Sequence, residues 1–245
     1  MYRLPSVIFI LYLCLAIFSW LGSVYAWGNM QNMLSADGLR WMVAMVLENV
    51  KHSPVIEVLL GTMTLSTLTE SGFLPVCLSL FRINKTLSLK KKRAFQISMV
   101  VLVLILILIA LMVFLPGAVL LSAFGTYQGS AIEMGHFTLV LIVLMCVGMT
   151  YGYASGSFSN SSDTIRAIVY LPERIASYFV TLFMASQFIG SLHFVFGERM
   201  YDMLFEVGGV NFSWHTVFGI IFYLIPLVIH ILDAYKGELR VESYS

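Results

Sequence analysis

Hydroxyl and ionisable side chains set into an apolar chain are costly to keep there, so their positions are the first guide to chemistry. The densest group is GTMTLSTLTESG, residues 61–72, where Thr62, Thr64, Ser66, Thr67, Thr69, Glu70 and Ser71 crowd a stretch that is otherwise hydrophobic. Such a run can line a polar cavity or break a helix, because hydroxyls satisfy backbone groups released by local unwinding. The structural alternative is that they bond back to their own backbone or pack helix on helix. Gln187 and His193 lie in a second apolar run. An imidazole there can relay protons, or simply bond to a neighbouring carbonyl. Thr67, Thr69, Glu70, Ser71, Gln187 and His193 therefore form the candidate polar pathway. No catalytic residue emerges, since HExxH, GxSxG and GxxxxGK[ST] are all missing from the sequence, and an enzyme is not expected. Cys14, Cys77 and Cys146 show no CxxC or Cys/His spacing, so neither a metal site nor a cofactor is expected.

The elements that must position these residues are membrane helices. Of 245 residues, 59% are hydrophobic and 11% charged, against roughly 25% charged in a soluble domain. The formal net charge of +1 provides no basic field for nucleic acid. A bilayer crossing takes about 20 mostly apolar residues. Stretches of that kind lie near 5–25, 54–81, 95–115, 137–156, 175–196 and 216–234. Between the first two, Leu39, Met42, Val43, Val46, Leu47 and Val50 recur at helical spacing. That pattern reads as an amphipathic helix over 35–51 lying at the membrane surface. The expected fold is all-α: a polytopic membrane helix bundle of about six transmembrane helices plus one interfacial helix, as a single integral membrane domain over 1–245. Gly148, Gly152 and Gly156 end the fourth span at spacings that let helices approach closely. Asp163, with the serines and asparagine of 159–162, reads as the cap of a following helix.

Lys and Arg resist translocation, so their distribution sets orientation. With the N-terminus inside, eleven of the fourteen fall on the cytoplasmic side, most densely in a basic loop over 82–94. Both termini are then cytoplasmic. An alternative reading of the start is a secretory signal, with Val24-Tyr25-Ala26 as a small-residue cleavage site; this would move the new N-terminus outside without reversing the other spans.

Particular stretches go further than composition. The opening PSVIFILYLCLAIFSWLGS, then NMLSADGLRWMVAMVLENVKHSPVIEVLLGTMTLSTLTESGFL (residues 32–74), then LSLKKKRAFQISMVVLVLILILIALMVFLPGAVLLSAFG, and then MTYGYASGSFSNSSDTIRAIVYLPERIASYFVTLFMASQFIGSL follow in order. Together they resemble the AbgT family of p-aminobenzoyl-glutamate transporters. The resemblance carries over only framework positions: Ser35, Gly38, Leu39, Glu70, Ser71, Gly72, Tyr151, Gly152, Gly156, Asp163, Gln187 and Phe188. Family members are about twice as long and hold substrate between two hairpins. Neither hairpin motif has a counterpart here, because Glu70-Ser-Gly-Phe-Leu74 runs almost directly into the basic stretch and the motif after QFI is replaced around His193.

The resemblance implies a multi-pass protein of the bacterial inner membrane. Its partners would be the lipid bilayer, further copies of itself or other membrane subunits, and a small aromatic acid, p-aminobenzoyl-glutamate or a relative. The contrasting expectation is a non-transporting scaffold or accessory subunit of an envelope complex, built from the framework part of that fold. A water-accessible polar pocket near mid-membrane separates the two.

Overall fold

Long apolar runs leave the backbone no solvent partner, so the chain satisfies its N–H and C=O groups within helices. The computed structural model describes residues 3–28, 30–80, 88–114, 119–122, 125–201, 204–207 and 210–232. The helices are α1 (Arg3–Val24), α2 (Ala36–Ala44), α3 (Val46–Lys51), α4 (Val55–Glu70), α5 (Phe73–Leu80), α6 (Leu89–Phe114), α7 (Ala131–Ser155), α8 (Ser161–Arg174), α9 (Ala176–Tyr201) and α10 (Trp214–Gly219). After α10 the chain passes through a π-helical segment, Ile220–Leu224, and stays helical to residue 232. A short antiparallel ribbon, β1 (Leu204–Val207) and β2 (Val210–Ser213), precedes α10. The architecture is otherwise an all-α membrane bundle. Among the described residues, four helices are long and apolar enough to cross a bilayer: Leu4–Val24, Leu89–Phe114, Ala131–Ser155 and Ala176–Gly197. Val217–Leu232 is a shorter apolar helix; the end of the expected 216–234 span lies outside the described residues, as does most of the basic loop.

The stretch read as one span over 54–81 is two helices. Gly72 adopts φ 82°, a left-handed conformation that a side chain would strain, and its N–H closes α4 on the Thr69 carbonyl. Ser71 Oγ accepts from Phe73 N–H at 3.3 Å and so caps the start of α5. With 16 and 8 residues, neither helix reaches spanning length alone. The stretch over 35–51 is likewise bent. Ser35 Oγ accepts from Gly38 N–H at 3.0 Å and starts α2, and Met45 (φ −91°, ψ 0°) separates it from α3.

At the head of α6, Lys90, Lys91, Lys92 and Arg93 are all exposed. Cations at a helix N-terminus oppose the macrodipole by about 0.3–1 kcal/mol each. A Lys or Arg drawn to the bilayer centre would cost about 2.5–3.5 kcal/mol. The second term is larger, so these residues mark where α6 enters the membrane.

The chain divides into two compact units, Met1–Val55 with Arg174–Ser245, and Ile56–Glu173. In the first, α1 packs on α9 through Ile8, Leu15 and Ala16 against Ala185, Phe188, Ile189, Leu192 and Val195. Met33 is fully buried in this core, its N–H donating to Ser19 Oγ at 3.1 Å. In the second unit, α6 packs on α7 and the core gathers Leu68, Phe73, Val76, Ala94, Val147 and Tyr151. Phe73 stacks on Phe95 at 5.7 Å and meets Tyr151 edge-on at 5.6 Å.

Candidate functional site

In the first unit, α9 presents Ser186, Gln187, Gly190 and His193 at helical spacing. Gln187 lies midway along the apolar part of α9, where an amide without partners would be costly. It is engaged at both ends. Its Nε2 donates to the Val46 carbonyl at 3.0 Å and to Ser186 Oγ at 3.3 Å, and its Oε1 accepts from Asn49 Nδ2 at 3.1 Å. The amide thus ties α3 to α9. Gly190 makes the approach feasible, because any Cβ there would collide with the Asn49 carboxamide.

Beside this tie lies a groove of about 420 Å³, lined by Trp41, Met45, Glu48, Asn49, His52, Ser186, Ile189, Gly190, His193 and Tyr223. Trp41 stacks on Phe194 with ring centroids 4.6 Å apart. Lys51 Nζ stands 2.8 Å from Glu48 Oε2. His52 Nδ1 lies 2.9 Å from the Glu48 carbonyl, and since a carbonyl only accepts, Nδ1 carries the hydrogen. In the neutral ring, Nε2 keeps its lone pair. The carbonyl of Tyr223, which lines the groove, accepts from the Tyr178 hydroxyl at 2.9 Å, within the π-helical segment. Such segments loosen the regular ladder and recur at functional sites. The groove's size falls within the range of small-molecule sites. Its lining combines indole and phenol rings with an amide, imidazoles and a carboxylate that can form hydrogen bonds. Among the described residues, no group of three or more His, Cys, Asp and Glu is placed to hold a metal.

Of the six candidate pathway residues, Gln187 stands behind this groove and His193 lines it. Thr67, Thr69, Glu70 and Ser71 belong to the second unit, where the hydroxyls serve their own helix. Thr67 Oγ1 donates to the Met63 carbonyl at 2.8 Å, Thr69 Oγ1 to Leu65 at 3.0 Å and Ser66 at 2.9 Å, and Ser71 Oγ to Leu68 at 3.3 Å. Glu70 is exposed at the end of α4. Two neighbours reach other helices instead. Thr64 Oγ1 donates to Leu141 on α7 at 3.1 Å. The fully buried Ser66 donates from Oγ to the Ala167 carbonyl at 2.6 Å and accepts from Leu171 N–H at 3.0 Å. Those are the two groups an α-helix pairs with each other, and Pro172 follows at once inside α8. Proline strains the turn before it, and Ser66 bonds both of these groups from a neighbouring helix.

The three glycines have separate surroundings. Gly148 lies against Thr67 and Leu68, where α7 meets α4. Gly152 is covered by the Phe158 ring, and Gly156 closes α7 at φ 79°. At the start of α8, Asn160 Oδ1 accepts from Asp163 N–H at 2.9 Å, while the Asp163 carboxylate accepts from Ser159 N–H at 2.9 Å and Oγ at 2.6 Å. Those two bonds to Ser159 hold the Asp163 carboxyl below its ordinary pKa.

Asn49, Glu48, His52 and Trp41 were not among the residues singled out from sequence. Their signal was present: polar residues recur along the amphipathic stretch over 35–51, but amphipathicity alone assigns a polar face to water and not to a protein groove.

The model of the "AbgT putative transporter family" matches residues 79–230, more than half of the chain. The chain belongs to the AbgT family. The match covers α6 to α9 and the segment after them, and so includes Gln187 and His193, whereas the AbgT-like stretch over 32–74 lies ahead of it. Neither a curated protein nor a solved structure matches the chain. AbgT membership together with the apolar helices makes this a multi-pass membrane protein of a transporter family.

Proposed function

We propose that this AbgT protein carries a small aromatic acid, p-aminobenzoyl-glutamate or a close relative, across the bacterial inner membrane, and that the groove of the first unit is where the molecule binds. The observation that carries this reading is the polar tie between Asn49 and Gln187 beside a groove of about 420 Å³, at the middle of an apolar helix. Trp41 and Tyr223 supply ring surfaces, His52 supplies a hydrogen bond, and His193 is the candidate proton-relaying group. The basic residues at the head of α6 orient the protein with both termini in the cytoplasm, following the positive-inside rule.

Equilibrium binding of radiolabelled p-aminobenzoyl-glutamate to the detergent-purified protein tests the site. Saturable binding that weakens at least tenfold in Trp41→Ala is the expected result; binding unchanged in Trp41→Ala removes the groove from consideration. The second reading, a membrane scaffold or accessory subunit, draws support from the second unit, where Thr67, Thr69 and Ser71 spend their hydroxyls on their own helix. Mild-detergent purification followed by native mass separates the readings: a stoichiometric foreign subunit favours the scaffold, and a homo-oligomer favours the carrier.

A further inference from the structure

The segment after α1 returns along α1 and α9 without crossing their ends. Its contacts can be followed residue by residue. Met33 meets Ser19, five residues before the end of α1, and Trp41 stacks on Phe194, three residues before Gly197. Further on, the Tyr12 hydroxyl reaches Met42 Sδ at 3.0 Å, while Val46 and Asn49 both bond Gln187. Tyr12 and Gln187 each lie near the middle of their apolar helices. At 1.5 Å per residue, Tyr12 is about 18 Å from the end of α1 and Gln187 about 15 Å from Gly197. An apolar helix that crosses a core about 30 Å thick has its midpoint at that depth.

The faces of the segment agree with this placement. A helix lying at the membrane surface turns its polar side to water and its apolar side down. Here Leu39, Val43 and Leu47, one turn apart, point away from the protein at 49%, 80% and 75% exposure. Glu48, Asn49 and His52 line the groove, whereas Asp37 and Arg40 near the start of the segment and Lys51, one turn beyond Leu47, keep exposed charged side chains paired within the segment. At the level of mid-span helix positions an outward apolar residue meets acyl chains, and Leu13 and Ile17 of α1 are exposed as well.

We infer that residues 36–49 form a membrane-penetrating segment that enters from the side where α1 ends and descends to near mid-bilayer, with Leu39, Val43 and Leu47 against lipid acyl chains and Asn49 held at the midplane by Gln187. Asn49 is then a positioning residue: it fixes the tip of the segment and with it the inner wall of the groove. The Gln187 and Asn49 amides are satisfied by each other and by the Val46 carbonyl, while Glu48, Lys51 and His52 keep exposed side chains at the deep end, as non-spanning backbone at membrane depth permits beside a water-filled groove. The inference concerns depth alone and stands whether or not the groove carries substrate.

The test replaces Cys14, Cys77 and Cys146 by alanine and places single nitroxide labels at Leu39→Cys, Val43→Cys and Leu47→Cys in the full chain. The protein is reconstituted in phosphatidylcholine–phosphatidylglycerol vesicles, and collision with oxygen and with a nickel chelate reads the depth of each label. Retention of the parent's thermal transition establishes that each labelled protein is folded, and labels at Leu13 and Ile17 of α1 calibrate the scale. The expected result is high oxygen and low nickel collision at Leu47, with depth rising from Leu39 to Leu47 by roughly 8–12 Å, up to the helical rise over eight residues. A uniform shallow depth at all three positions would overturn the inference in favour of a surface helix. Low collision with both reagents at Leu47 would also overturn it, because protein and not lipid would then cover the stripe.

Discussion

Ser66 and Thr67 are neighbours on α4, both fully buried, and both carry a hydroxyl. Composition cannot distinguish them, but their bonding does. Thr67 Oγ1 donates to Met63 of its own helix, a carbonyl that already belongs to the helical ladder. Replacing Thr67 with the isosteric valine should therefore change stability by no more than about 0.5 kcal/mol. Ser66 serves two groups on another helix, the Ala167 carbonyl and the Leu171 N–H beside Pro172. Hydrogen bonds between membrane helices average about 0.6 kcal/mol and reach about 1.7 kcal/mol. Two of them place Ser66→Ala at roughly 1–3 kcal/mol. Pro172, by straining the turn that carries both partners, argues for the upper end. Reversible unfolding in mixed detergent micelles, followed by far-ultraviolet circular dichroism, reads both variants on one scale. Thr67→Val destabilising as much as Ser66→Ala, or Ser66→Ala within about 0.3 kcal/mol of the parent, would show that Ser66 does not bridge the two helices.

Gly190→Ala should separate α3 from α9, because the new Cβ takes the space of the Asn49 carboxamide; a lowered thermal transition and loss of ligand binding are expected, and an unchanged transition would contradict the packing. Gly72→Ala should destabilise through its left-handed φ by about 1 kcal/mol, read in the same micelle unfolding experiment. The Asp163 carboxyl has a folded pKa below its unfolded value, so its contribution is fully present above the ordinary aspartate range and is lost as pH falls through the depressed folded value. Thermal transitions measured from neutral pH down to about pH 2.5 should show that loss in the parent, and Asp163→Asn should flatten the acid limb; equal slopes would remove Asp163 from the cap.

Much of the fold was legible because one force dominates it. The runs around Leu104, Val143 and Thr181 can satisfy a membrane backbone only as helices, and α6, α7 and α9 lie where those runs are. The break in 54–81 was harder to locate. The pattern around Glu70 allowed either a cavity lining or an interrupted helix, and the choice depends on Gly72 taking positive φ, a property of three-dimensional closure. The candidate site was legible in part. Gln187 and His193 stand out because an amide and an imidazole inside an apolar helix are expensive. Asn49 and Trp41 do not, since their value comes from a partner more than a hundred residues away, and a single sequence carries no sign of that pairing. The Thr-rich run shows the opposite case: a conspicuous composition whose hydroxyls mostly return to their own backbone.

The most direct test of the central claim is uptake of radiolabelled p-aminobenzoyl-glutamate into proteoliposomes holding the parent protein or Asn49→Ala, each checked for an intact thermal transition and equal incorporation. Saturable uptake by the parent above empty liposomes and a loss of at least tenfold in the variant are expected. Parent proteoliposomes that accumulate no more than empty ones, or a folded Asn49→Ala protein that transports at the parent rate, would contradict it.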